Sequence, residues 1–250
     1  MRIGTEYDRI GTTYTRTRRA DPRVEARVHA AIGAARAVVN VGAGTGSYEP
    51  RDRVVVAVEP ARAMLAQRAP DAAPAVQAQA EALPFPRRAF DVALAVLTVH
   101  HWHDLAAGLA EMRRVARRQV LLTFEPAISD ATWLIADYFP SMLDVDSERT
   151  APSIADLAEH LTVDRLEIVP VPADCADGFA GGFWNRPEAY LRDDVQAGIS
   201  GFAQMERATL RRDTERLRDE LRSGAWDAKY GHLRSLDECD LGYRILVAGE

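Results

Sequence analysis

Two residue types are nearly absent from this 250-residue chain: lysine occurs once, at Lys229, and cysteine twice, at Cys175 and Cys239. Two thiols make neither a disulfide scaffold nor a metal cluster, and their scarcity suits a reducing compartment. Arginine supplies the other positive charges, yet the 31 basic residues are outnumbered by 37 acidic ones, for a net charge of −6. That balance argues against a surface built to grip phosphate backbones, so no nucleic-acid partner is expected. No apolar run reaches the ~20 residues of a membrane span. The polar opening MRIGTEYDRIGTTYTRTRR also lacks the apolar stretch of a secretory signal. A cytoplasmic protein without membrane contact is the expectation. With 47% hydrophobic and 27% charged residues, a disordered or fibrous chain is excluded. The length suffices for one large core with an appended lid.

What is present is an alternation of strand and helix signals. Asp21-Pro22 reads as a helix start, followed by Val24, Val28 and Ile32 at helical spacing and a stop at Gly33. Ala37–Val41 and Val54–Val58 are short apolar runs, and Ala61–Arg68 reads as helical. Phe90–Val96 and Val120–Phe124 read as buried strands around a helix at Leu105–Ala116. Near-continuous apolar strands alternating with helices predict an α/β protein whose parallel sheet is covered on both faces. Beyond Pro126 the pattern changes: Ser129–Leu143 and Ile154–Leu161 read as helices, and Arg165–Val171 alternates as a strand. The stretch from Pro172 to Glu238 is mostly helical, before a last strand at Leu241–Ala248.

The first strand runs into Asn40-Val41-Gly42-Ala43-Gly44-Thr45-Gly46. Glycines allow a sharp turn and close approach of the backbone to a ligand. Glu59 closes the next strand, where a carboxylate can accept both hydroxyls of a ribose. The dinucleotide fingerprint needs a third glycine, but Ser47-Tyr48-Glu49-Pro50 follows Gly46 instead, and no P-loop lysine is present. A ligand with a ribose and no phosphate fits better than NAD or ATP.

The runs VVNVGAGTGSYE, VVAVEPARAML, QAQAEALPFPRRAFDVALAVLTVHHWHD and EMRRVARRQVLLTFEP resemble, in order and spacing, the class I S-adenosylmethionine-dependent methyltransferases, in the small-molecule branch that includes the type 11 domain. The resemblance covers about residues 38–126. It implies a doubly wound, Rossmann-like, mostly parallel seven-stranded sheet with an antiparallel last strand and a helical lid insertion. It implies S-adenosyl-L-methionine as cofactor, with Gly42, Ala43, Gly44 and Gly46 under its methionine and ribose and Glu59 on the ribose hydroxyls. Pro60 and Met64 would line the adenine, with Gln79, Ala80, Glu81 and Leu97 also at the cofactor. Two positions depart from the family. Gln79 stands where an Asp is usual, and Asn40 where an Asp or Glu is usual, which would loosen contact to the methionine ammonium. The implied organisation is a leader over the site at 1–20, a cofactor-binding core at 21–126, a helical substrate lid at 127–238 that includes one sheet strand, and a terminal core strand at 239–250.

The loop Thr98-Val99-His100-His101-Trp102-His103-Asp104 follows the fourth strand and faces any ligand at the strand ends. Adjacent loop residues rarely converge on one ion, so no metal site is expected. His100 or His101 is read instead as a general base or an orienting group, beside Trp102 in the substrate pocket. In the leader, Tyr7 and Tyr14 share a helical face, and the resemblance would bring Tyr14 to the sulfonium or the substrate and Arg18 to the methionine carboxylate. Glycines 178, 181 and 182 punctuate an aromatic stretch with Trp184, which reads as a mobile substrate-facing lid. The function expected is in-line methyl transfer to a small-molecule acceptor by a monomer or homodimer. The alternatives are a protein that binds S-adenosylmethionine without transferring its methyl and, further off, an NAD-linked oxidoreductase.

Overall fold

The computed structural model describes Asp8 and residues 17–249; Tyr7, Tyr14 and Glu250 lie outside the described residues. Asp21 opens helix α1 (Pro22–Ile32) by accepting the Arg23 N–H at 3.0 Å, and Pro22 fills a position where no N–H is needed. The helix ends at Gly33, whose φ of +62° is open to glycine without strain. Strands β1 (Ala37–Val41), β2 (Val54–Val58), β3 (Ala75–Val76), β4 (Phe90–Val96) and β5 (Ala116–Phe124) then pair in parallel. Helix α2 (Leu105–Val115) links β4 to β5, and α3 (Ile154–His160) precedes β6 (Val163–Ile168). A small antiparallel pair joins β7 (Val171–Pro172) to β8 (Glu238–Cys239), and β9 (Tyr243–Ala248) returns to the sheet between β5 and β6. The seven-stranded order is β3-β2-β1-β4-β5-β9-β6, with β9 antiparallel to both neighbours. This is the predicted mostly parallel sheet with an antiparallel last strand.

Alternation along the strands splits the core into two layers. Val38, Leu94, Val120 and Ile245 pack under α1 on one face, while Val39, Ala93, Leu121 and Leu246 meet Leu109, Met112 and Leu157 of α2 and α3 on the other. Strand order reverses between β1 and β4, so the crevice at the carboxyl ends of these strands is the natural ligand position.

A third apolar cluster lies in the insertion, where Trp133, Tyr138, Phe139, Tyr190, Phe202 and Trp226 pack together. Helices α4 (Asp193–Gly198), α5 (Ser200–Gln204), α6 (Arg207–Ser223) and α7 (Ala225–Tyr230) enclose it. The single helix expected over Ser129–Leu143 is broken: a turn at Pro126–Ser129, a π-helical turn at Leu134–Tyr138 and a 3-10 turn at Pro140–Asp144 replace it. Pro140 has no N–H to continue the ladder, so the apolar stripe survives but the helix does not. The helix expected at Ala61–Arg68 is one turn, Arg62–Leu65. Among the described residues no helix is long and apolar enough to cross a membrane.

Candidate active site

The glycine turn after β1 and the acid after β2 form one unit. Glu59 is 6% exposed, and its two carboxylate oxygens accept the Gly44 N–H at 2.8 Å and the Ala61 N–H at 2.9 Å. Burial pushes its acid above the usual carboxylate range, with the two N–H donors opposing that rise. Each oxygen keeps a lone pair for a further donor. Gly42 and Gly44 both have positive φ, at +72° and +52°, but for different ends. A Cβ on Gly42 would stand 2.1 Å from Thr98 Oγ1, whereas one on Gly44 would meet only Met64 Cε, at 3.6 Å. Gly42 therefore lets β1 approach β4, and Gly44 leaves the space beside Met64 open.

Behind the turn sits a buried network that sequence reading missed. Arg68 and Glu49, each with a side chain 6% exposed, pair at 2.7 Å, and Arg68 also donates to the Gly44 and Ala73 carbonyls. Asn40 donates from Nδ2 to Glu49 Oε1 at 3.1 Å, while its buried Oδ1 has no hydrogen-bond partner among the described residues. Asn40 lines the cleft, so it offers an unused acceptor there. A third tie crosses from the leader to the insertion. Arg18 donates to Asp177 Oδ1 at 2.7 Å, and Tyr48 donates its hydroxyl to Asp177 Oδ2 at 2.8 Å.

These groups line a solvent-open cleft at the switch point. Arg18, Gly42, Ala43, Gly44, Glu59, Pro60, Met64, Gln79, Ala80, Glu81 and Leu97, all expected at a cofactor, line it. Gly46 stands back from it: a Cβ there would meet Glu49 and Arg68. Tyr14 lies outside the described residues. Glu81 also accepts the His103 N–H at 2.8 Å, which fastens the histidine loop to the cleft wall.

Comparison with known proteins decides what such a cleft belongs to. A methyltransferase-domain profile matches residues 39–124. A protein of Anabaena variabilis, assigned as a methyltransferase from an antibiotic biosynthesis pathway, is 33% identical over 93% of this chain and 98% of its own, with a TM-score of 0.82. The chain belongs to the class I S-adenosylmethionine-dependent methyltransferases. The cofactor of that family is S-adenosyl-L-methionine. A phosphoethanolamine N-methyltransferase of Haemonchus contortus, solved with phosphomonomethylethanolamine and S-adenosylhomocysteine, shares the fold at 11% identity and a TM-score of 0.53, covering 90% of this chain and 52% of its own. The Escherichia coli protein YafE is 44% identical over 41 residues, which is 16% of this chain and about a fifth of that protein's length.

In this methyltransferase, β4 is followed directly by Leu97, a non-glycine residue with φ of +48°. Such strain persists only where surrounding contacts fix it, and here Leu97 lines both the cofactor cleft and a neighbouring cavity. Arg18 and His101 also line both spaces. His100 faces only the second, with its ring 5.2 Å from Phe124 and 3.9 Å from the His101 ring. Its buried Nδ1 has no hydrogen-bond partner among the described residues. Burial holds His100 far below the usual imidazole range, with His101 and Arg18 adding to the effect, and burial with Arg18 lowers His101 to about 4. Both rings are therefore neutral at physiological pH, and neither titrates near neutrality as a free histidine would. Trp102 lines the cofactor cleft, its ring against Gly108, where a Cβ would lie 2.4 Å from the indole.

Trp184 belongs to the core. It is 2% exposed, and its Nε1 donates to the Val171 and Pro172 carbonyls at 3.1 and 3.3 Å. The glycines near it serve close packing: a Cβ on Gly178 would stand 2.7 Å from the Thr17 carbonyl oxygen, and one on Gly182 2.1 Å from the Asp177 carbonyl oxygen. The lid reading of this stretch is corrected accordingly. Sequence reading also missed Glu148, a cavity-lining carboxyl in the single turn Asp146–Arg149, whose run DVDSERT carries only the pattern of a solvated helix.

Proposed function

We propose that this methyltransferase acts on a small molecule held in the cavity beside the cofactor cleft. One observation carries the reading: Arg18, Leu97 and His101 line both spaces, so an acceptor and a methyl donor placed in them would adjoin. The cavity is largely apolar, lined by Leu97, Phe124, Ile135, Met142, Phe179 and Ile199, which suits a compact organic skeleton.

The cleft fits its cofactor in three respects: the spare lone pairs of Glu59 suit ribose hydroxyls, the open side of Gly44 admits the ligand, and the orphaned Asn40 Oδ1 suits the methionine ammonium. Gln79, Ala80, Pro60 and Met64 would flank the adenine. The bound cofactor supplies an electrophilic methyl on a sulfonium, open to in-line displacement. The chain's own part is to align the acceptor and keep water out. His100 and His101, being neutral, serve as hydrogen-bond partners that orient the acceptor, and Trp102 borders its approach. Two free thiols and the acidic surface support cytoplasmic action without nucleic acid.

The test uses S-adenosylmethionine with a labelled methyl group and a cell extract, followed by ultrafiltration. Label should appear in the low-mass filtrate. Label found only on protein or nucleic acid overturns the small-molecule reading.

A further inference from the structure

The acceptor cavity contains a carboxyl group that the mechanism above leaves unused. Glu148 lines it, and among the described residues no N–H or O–H donates to its carboxylate. Helix α5 can pass over this group because position 201 is glycine: a Cβ there would stand 3.2 Å from Glu148 Oε1 and 2.7 Å from Met142 Sδ. Among the described residues, the charges around it offer no counter-ion. Asp130 adds a second carboxylate nearby, and both acids are pushed up by burial, Glu148 to about 7. His100 and His101 are neutral, and burial raises the Tyr243 hydroxyl so that it stays protonated. Arg18, the cation of the cavity wall, is engaged by Asp177 at 2.7 Å.

An ionised carboxylate in an apolar space without a cation is costly. A neutral alcohol would donate one hydrogen bond and leave the charge unbalanced, whereas an ammonium would answer both. Resting on the reading of this cavity as the acceptor site, we propose that its occupant is an apolar amine, with the ammonium group held by Glu148 and the hydrocarbon body by the surrounding apolar walls. Glu148 is then the residue that selects the class of acceptor.

Tryptamine and tryptophol, which differ only in amine against hydroxyl, are the probes, titrated into the full chain saturated with S-adenosylhomocysteine. Near pH 8, tryptamine should bind at least about tenfold more tightly than tryptophol. The preference should shrink toward about pH 6, as Glu148 takes up its proton. Glu148→Gln should abolish the preference while affinity for S-adenosylhomocysteine is unchanged, and Glu148→Asp should keep part of it. Equal affinities, no binding of either probe, or a preference unchanged in Glu148→Gln overturns the inference. If the Gln variant loses its fold, the Asp variant and the wild-type pH dependence decide the matter. Intact binding of S-adenosylhomocysteine without amine preference removes the amine inference alone; failure to bind it removes the cofactor assignment.

Discussion

The Gly44 N–H donates to Glu59 Oε2 at 2.8 Å, which locks the glycine turn after β1 to the acid at the end of β2. One carboxylate thus shapes the loop and faces the cleft. Glu59→Ala removes an acceptor for two backbone N–H groups and for the ligand. Affinity for S-adenosylhomocysteine should fall by at least about tenfold, or about 1.5–3 kcal/mol, in isothermal titration. Unchanged affinity would sink the assignment of Glu59.

Gly42 and Gly44 should fail differently when substituted. Gly42→Ala drives a Cβ into Thr98 and should lower the denaturant midpoint, because β1 and β4 can no longer approach. Gly44→Val strains the turn at its φ of +52° but meets only open cleft and a flexible Met64 end, so circular dichroism should be kept while cofactor binding is lost. Loss of fold in the Gly44 variant would make that glycine structural.

Arg68→Met leaves Glu49 buried without its partner. Breaking such a pair from one side should cost about 3–5 kcal/mol in urea unfolding. A cost below about 1 kcal/mol would show that the pair is solvated and does not brace the turn.

Glu148 carries a pH signature. Its acid is raised in the fold, so the folded state holds a proton that the unfolded chain releases between about pH 4.5 and 7. Its contribution to stability is full below the unfolded value and is lost as pH rises through about 7. Glu148→Gln, which stays neutral, should match the wild type near pH 4 and exceed it by about 1–2 kcal/mol near pH 8. A difference independent of pH would mean that Glu148 is solvated.

Trp184→Phe keeps the ring and loses the N–H that meets Val171 and Pro172. Two carbonyls left without that donor should cost about 1–2 kcal/mol. The fluorescence response to an acceptor should be unaltered, since the indole is packed in the core; its loss would restore the lid reading.

The sheet and the cofactor cleft were legible because their signals are local. The near-continuous apolar run of Phe90–Val96, the Asp21-Pro22 helix start and the strand–glycine turn–acid succession each lie within a few residues. Arg68 and Glu49 stand 19 residues apart and Arg18 and Asp177 159 apart, and no local pattern announces either pair. Glu148 reads as one more charge on a polar turn until the fold wraps Met142 and α5 around it. Trp184 was misread because glycine beside aromatics signals mobility and tight packing equally well, and only the neighbours distinguish them. His100 and His101 were found by position, but their neutrality is set by burial, which no spacing encodes.

Arg18 borders both compartments, and its partner Asp177 also holds Tyr48, whose turn forms part of the cofactor cleft. Whatever settles that guanidinium in one compartment is felt in the other, and linkage between two sites through a shared group runs equally in both directions. The factor by which S-adenosylhomocysteine tightens an acceptor should equal the factor by which the acceptor tightens S-adenosylhomocysteine. Leader, glycine turn and insertion meet at a single carboxylate, Asp177, which is where such a linkage would pass.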